Sequence, residues 1–220
     1  MSLTMPFSDA RTACVESIDG FVGVVDALGE YDLLAGSRCH GWTRLDVVVH
    51  VIAGWQEMLG GLVSVVDEAP TVDAASYWPA FAAEFTSEDP VPALMAQRRR
   101  TATYVRPADV VDHLHEVAGA ARHGVLAGAD RPCRWQGHVF TAGDYLAVWA
   151  VEDVVHQLDL RTDAPAPDAA LRVARATVEA LVGESLPGAW SDAEAVLVGT
   201  GRLPVPSDQA ALASRLPALG

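Results

Sequence analysis

The 220-residue chain has no lysine: its 15 Lys/Arg positions are all arginine, set against 29 acidic residues. The formal charge of −14 argues against general nucleic-acid binding, which needs a net basic face. Arg98, Arg99 and Arg100 form the only basic run. Cysteine is scarce too. Cys14, Cys39 and Cys133 are odd in number, widely spaced and without a Cys-x-x-Cys pair, which argues against a disulfide framework and against a thiolate zinc site. Cys39 beside His40 can be read as a reactive thiol, but a small buried side chain near a helix start is the stronger reading. No apolar run reaches the roughly 18 residues that a bilayer span requires. Asp9 and Arg11 come too early for a secretory hydrophobic region, so a soluble, cytoplasmic protein is expected. Neither a Ser–His–Asp arrangement nor a phosphate-binding loop is evident.

What the chain does have is apolar content, with 50% hydrophobic residues and 20% charged ones. That composition and length predict one globular domain with a small appendage. The patterning is helical, with no strong alternation of period two. Helices are predicted from Ser8 to about Gly29, from Thr43 to Val66, from Pro107 to Leu126, from Thr141 to about Arg161, and from Asp168 to Val182. Two starts carry capping signals: Thr43 with Asp46, and Thr141 with Asp144, each preceded by an aromatic residue placed for a hydrophobic staple, Trp42 with Val47 and Phe140 with Tyr145. Residues 70–92 are less regular, with a short helix in "SYWPAFAAEF" and punctuation at Pro90 and Pro92. "GADRPCRWQGHVF" reads as a partly extended connector. The tail after Gly183 reads as loop-rich, with "AVLVG" as a short strand. Four long helices with mostly short connections predict an all-α, antiparallel four-helix bundle. The expected division is residues 1–163 for the bundle and 164–220 for a C-terminal helix and tail.

Two of these helices carry polar residues on apolar stripes. In "AVWAVEDVVHQLDL" the residues Tyr145, Val148, Trp149, Glu152, Val155, His156 and Asp159 share one side at 100° per residue, while Asp153, Gln157 and Arg161 point elsewhere, towards water. Glu152 and His156 stand one turn apart, so their tips can converge. A buried carboxylate needs compensation: a hydrogen bond to His156, a cation from another helix, or a metal ion. "DVVVHVIAGW" embeds His50 among valines in the same way. A lone histidine of this kind is more often a satisfied core residue. Together, however, His50, Glu152 and His156 make a two-histidine, one-carboxylate set that suits a divalent transition metal and leaves coordination positions open. Asp46, one turn before His50, either orients that imidazole or simply completes the cap, and the cap is the preferred reading. His40, His113, His115, His123 and His138 read as surface or connector residues.

"CHGWTRLDVVVHVIAGW" resembles a signature near the start of the mycothiol-dependent maleylpyruvate isomerase family of the DinB-like superfamily, and "FTAGDYLAVWAVEDVVHQLDL" resembles its second, with Glu-x-x-x-His followed by Asp-Leu. The likeness runs from about Phe7 to Arg161. It implies a DinB-like antiparallel four-helix bundle that binds a divalent metal through His50, Glu152 and His156, with zinc expected and nickel or iron as alternatives. It also implies mycothiol, an actinobacterial thiol, as cosubstrate. Three protein ligands leave a metal open to activate a thiol as thiolate, which can add to an activated double bond, permit rotation and leave again, or displace a leaving group. The implied partners are a small-molecule electrophile and a low-molecular-weight thiol, with a homodimer as candidate assembly and no nucleic acid or membrane. The family's isomerases carry a C-terminal domain larger than residues 162–220 provide, so the resemblance implies a shortened tail, although "VGTGRLPVP" resembles tails of related members. An anionic substrate would want an arginine near the metal; Arg98, Arg99, Arg100, Arg106 and Arg202 are the candidates. The alternatives to an enzyme are a non-catalytic, stress-related bundle that holds a metal or small ligand, and a structural bundle in which Glu152 merely pairs with His156.

Overall fold

In a computed structural model, residues 2–85 and 89–219 are described. Helix α1 spans Phe7–Asp26, and a single turn, α2, spans Glu30–Leu33. α3 runs Arg44–Val63, α4 Tyr77–Phe85, α5 Val91–Thr101 and α6 Pro107–Ala127. A hairpin of β1 (Cys133–Trp135) and β2 (His138–Phe140) leads into α7 (Ala142–Asp159). α8 (Asp168–Val182), α9 (Asp192–Gly199) and a 3₁₀ turn at Ser207–Leu212 complete the chain.

The long helices α1, α3, α6 and α7 form the four-helix bundle, with α1 and α3 each touching both α6 and α7. Its core contains Phe21, Trp55, Leu114, Tyr145 and Leu146, all fully buried. The start of α3 is fixed by a complete capping box: Thr43 accepts from the Asp46 amide, and the Asp46 carboxylate accepts from the Thr43 amide. The start of α7 is only half of the expected box. Thr141 accepts from the Asp144 amide at 3.0 Å, but the Asp144 carboxylate instead accepts from the Met5 amide at 2.8 Å, tying the N-terminal segment to this helix end. The staple is present as a Phe140–Tyr145 ring contact at 5.7 Å between centroids.

Three expectations need correction. Asp153 and Gln157 do not face water; each is about 2% exposed. α7 packs against α1, α3, α8 and α9 at once, so it has no solvent side on which to place them. "AVLVG" is not a strand but most of α9, whose N-cap Ser191 accepts from the Glu194 amide with Asp192 and Glu194 in the first turn. Finally, α5 lies where the two prolines suggested only punctuation. Pro92 falls in its first turn, where proline costs the helix no hydrogen bond. The last turns of α8 and the segment after it share a small apolar cluster of Val178, Val182, Leu186, Trp190, Val198 and Leu212, while the earlier turns of α8 join the main core through Ala170, Leu171 and Ala174.

α3 and α7 approach closely because Gly61 leaves room for Tyr145, whose hydroxyl donates to the Met58 carbonyl at 2.9 Å. A Cβ at position 61 would sit 2.1 Å from that hydroxyl, whereas at Gly60 it would meet nothing within 4 Å. Gly61→Ala should therefore lower stability by about 1–3 kcal/mol through overpacking. Gly60→Ala should be neutral or stabilising by up to about 1 kcal/mol, because it reduces unfolded-state freedom. Urea denaturation of both variants distinguishes the two effects, and equal midpoints would contradict this packing.

Candidate metal centre

Packing on four elements leaves α7 with buried ionisable groups on more than one face, and each finds a partner. On the face towards α3, the His156 Nε2 lies 3.2 Å from the Glu152 Oε2, a pair one turn apart. The His50 ring meets the His156 ring edge-on, with centroids 4.8 Å apart. One ligand atom from each of His50, Glu152 and His156 lies within 4.8 Å of the others. The three side chains singled out by spacing are thus brought together by α3 and α7.

The other nitrogen of His156 is equally committed. Its Nδ1 is 3.1 Å from the Asp159 Oδ2, one turn further on. Asp159 is completely buried and is gripped by Arg202, whose Nε donates to Oδ1 and whose Nη2 donates to Oδ2, both at 3.1 Å. Cys39 Sγ donates to the same Oδ2 at 3.1 Å. The loop that carries Cys39 is itself tied to the end of α7, since the Arg38 amide donates to the Asp159 carbonyl at 3.0 Å. Cys39, His156 and Asp159 form a second trio within 4.8 Å, but the Arg202 guanidinium already supplies the positive charge there. Arg202 therefore serves Asp159 in this structure, through a bidentate contact.

These contacts set the ionisation of the group. Burial by itself would lower the His156 imidazole, but hydrogen bonds to Asp159, Cys39 and Glu152 override it and raise it well above the ordinary histidine value. His50 is pushed down to about 4, first by burial and then by the positive neighbours His156 and Arg100, against the opposing pull of Glu152 and Asp159. Burial also works to raise Glu152, yet hydrogen bonding to His156 and the charges of both histidines bring it below the usual carboxylate value. Asp159 is held far below that range, because His156 and Arg202 outweigh its burial.

Asp153, missed by the helical projection, borders the same cavity as the pair but is held by other groups. It accepts from Ser17 Oγ on α1 and from Trp55 Nε1 on α3, each at 2.8 Å. Burial pushes its carboxyl up to about 7, even though both hydrogen bonds pull the other way. A sequence clue existed: Asp153 is followed by two valines in a helix rich in apolar residues.

The trio of His50, Glu152 and His156 opens on a cavity of about 250 Å³. α3 lends it Gly54 and Glu57, α4 lends Tyr77 and Phe81, α5 lends Arg100, and the hairpin lends Trp135 and Gln136. Trp149 of α7 also lines it and packs at a tilt against Trp135, with ring centroids 4.9 Å apart. Gln136 and Gly137 form the hairpin turn with φ of 46° and 76°. This left-handed pair suits a two-residue hairpin but costs a glutamine about 1–2 kcal/mol. The Gln136 side chain in return accepts from Tyr77 Oη at 2.9 Å, so the turn is fixed against α4.

The remaining candidates stand apart from the cavity. Asp46 spends its carboxylate on the Thr43 amide and hydroxyl at 2.8 and 2.7 Å, in keeping with the cap reading. His113 bonds to Tyr104 at 2.6 Å and His115 to Asp26 at 2.8 Å, while His40 and His123 are exposed and His138 is half-buried on β2. Cys14 and Cys133 are buried. Of the five arginines, Arg106 holds Glu30, Arg98 donates to the Gly41 carbonyl, Arg99 is exposed, and Arg202 holds Asp159. Only Arg100 lines the cavity.

Comparison with known proteins agrees with this architecture. Residues 14–161 match the model of the mycothiol maleylpyruvate isomerase N-terminal domain. Two crystal structures share the fold. One is the mycothiol-dependent maleylpyruvate isomerase, with TM-score 0.63 and 15% identity. The other is a histidine-to-alanine mutant of the mycothiol-dependent maleylpyruvate isomerase, with TM-score 0.62 and 14% identity. Each alignment covers 90% of this chain and 90% of the other. That coverage overturns the expected shortened tail, since the two lengths are comparable and the likeness extends beyond the bundle. No curated protein matches the sequence. Because the matched segment spans more than half of the chain and the fold agrees over 90% of it, the chain belongs to the mycothiol maleylpyruvate isomerase N-terminal domain family.

Proposed function

We propose that this protein is a metal-dependent, thiol-using enzyme, a mycothiol-dependent isomerase or S-transferase of small electrophiles. The observation that carries the reading is the meeting of His50, Glu152 and His156 at the edge of a cavity, with the imidazole of His156 oriented from behind by Asp159. The donor set fits a divalent cation of the zinc type. It offers two imidazoles and one carboxylate, and the carboxylate–histidine contact behind it is the arrangement that fixes a ligand's tautomer and aims its free nitrogen. When bound, such a cation supplies Lewis acidity that lowers the pKa of a thiol enough to present thiolate at neutral pH.

The chain's own residues do the rest. Asp159 accepts at the Nδ1 of His156 and leaves Nε2 directed at Glu152. Arg202 neutralises Asp159, so that this carboxylate orients the imidazole without adding an uncompensated charge to the core. Tyr77, Phe81, Trp135 and Trp149 wall the cavity with aromatic surface, which restricts water around a reacting thiol and electrophile. A metal-free structural pair of Glu152 and His156 is the competing reading, favoured by their 3.2 Å contact.

Purified protein loaded with zinc should retain about one equivalent through gel filtration, and His50→Ala should lose it. Asp159→Asn should keep the metal but weaken its affinity by roughly 10–100-fold, the usual cost of losing a group that orients a metal ligand. Metal analysis and chelator competition measure both. Unchanged metal retention in His50→Ala favours the structural pair.

Zinc-loaded protein should convert maleylpyruvate, or consume a thiol-reactive electrophile, only when mycothiol is supplied, and Glu152→Ala should abolish that rate. Assays with and without mycothiol decide the matter. Tight metal uptake with no thiol-dependent turnover leaves a non-catalytic binding protein.

A further inference from the structure

We propose that Arg100 is the specificity residue of this cavity and that it selects ligands bearing a carboxylate on a flat or apolar body. The inference deepens the proposed function and rests on that reading for the cavity being the working site. Of the 15 arginines in the chain, Arg100 is the one that lines the cavity. It makes no ion pair among the described residues, in a chain where acidic residues outnumber basic ones by nearly two to one. The carboxylates that share the cavity are already engaged: Asp153 by Ser17 and Trp55, Glu152 by His156, and Glu57 by the Gln136 amide at 3.4 Å.

Arg100 is also held in place. Its Nη1 donates to the Gln97 Oε1 at 2.9 Å. Gln97 is itself buried and donates through Nε2 to the Asp46 carbonyl at 2.8 Å. Asp46 lies one turn before His50 on α3. A single side-chain link thus sets the guanidinium at a defined distance from the trio. The remaining N–H groups of the fork stay free to engage a carboxylate, the planar acceptor that a guanidinium matches best. Beyond it, Tyr77 and Trp135, with ring centroids 5.3 Å apart, offer aromatic faces to the body of the ligand.

Cinnamate and cinnamamide test the assignment, being alike in size and flatness and different in charge. Calorimetric titration of zinc-loaded protein should show cinnamate bound at least roughly tenfold more tightly than cinnamamide, the gain expected of a charge-assisted contact. Arg100→Gln should bring the ratio close to one while leaving the cinnamamide affinity unchanged, and Arg100→Lys should retain part of the preference. Equal affinities in the unaltered protein, or no binding of cinnamate, would overturn the proposal. So would a preference that survives in Arg100→Gln, because the carboxylate would then be read by the cation or another group. Zinc stoichiometry on the same samples reports separately on the metal centre. Zinc-free protein whose cinnamate preference still disappears in Arg100→Gln supports Arg100 and rejects only the metal.

Discussion

The fold turns on the burial of acids in α7. Asp153 and Asp159 lie inside the protein, Glu152 is one-third exposed to the cavity, and His156 sits between two of them. An unmatched buried carboxylate costs several kcal/mol or gives up its charge. Glu152 is matched within α7 by His156, while Asp153 and Asp159 are matched from other elements: Ser17 from α1, Trp55 from α3, Cys39 from the loop before α3, and Arg202 from the segment after α9. These contacts also fix how the elements sit around α7. The chemistry of the site and the cross-bracing of the bundle are one set of hydrogen bonds, so a change in either is felt by both.

Labour is divided between helices and connections. The bundle helices α3 and α7 hold the His–Glu–His trio on rigid rods whose registers are set by the Thr43 and Thr141 caps. α3 and α7 also line most of the cavity, and what lies between the rods, namely α4, α5 and the hairpin, closes its remaining walls. The hairpin accepts a left-handed glutamine at its turn and in exchange directs an amide at Tyr77. A strained residue at a cavity edge, held by its own side chain, is a common way to place a polar group accurately.

Much of this was legible in the sequence, for reasons that differ by residue. The long helices could be read from their apolar period, with caps in support at the starts of α3 and α7. Glu152 and His156 stood out because an i, i+4 polar pair on an apolar stripe is expensive, and His50 because valines surround it. Asp153 and Gln157 were misplaced because a helical projection assumes one solvent face, and α7 has none. Arg202 could not be assigned, since its partner Asp159 lies 43 residues away and no local pattern encodes such a distance. α9 looked like a strand because "AVLVG" is too short for periodicity to decide, and the deciding signal was the Ser191 cap before it.

The link from Arg202 through Asp159 to His156 also bears on why the C-terminal segment stays with the bundle. Arg202 is partly buried and Asp159 completely so, and a charge in such a place is costly when its partner is removed. Within the bundle His156 and Cys39 also bond to Asp159, and the bidentate contact from Arg202 adds a charge-assisted link between the tail and α7. The likeness to the solved isomerase structures covers 90% of each chain at 14–15% identity. With so few residues shared, the likeness is one of layout. The part of the cavity wall lent by α4, α5 and the hairpin is what the bundle's core packing constrains least, and there members of one fold have most freedom to differ in what they bind.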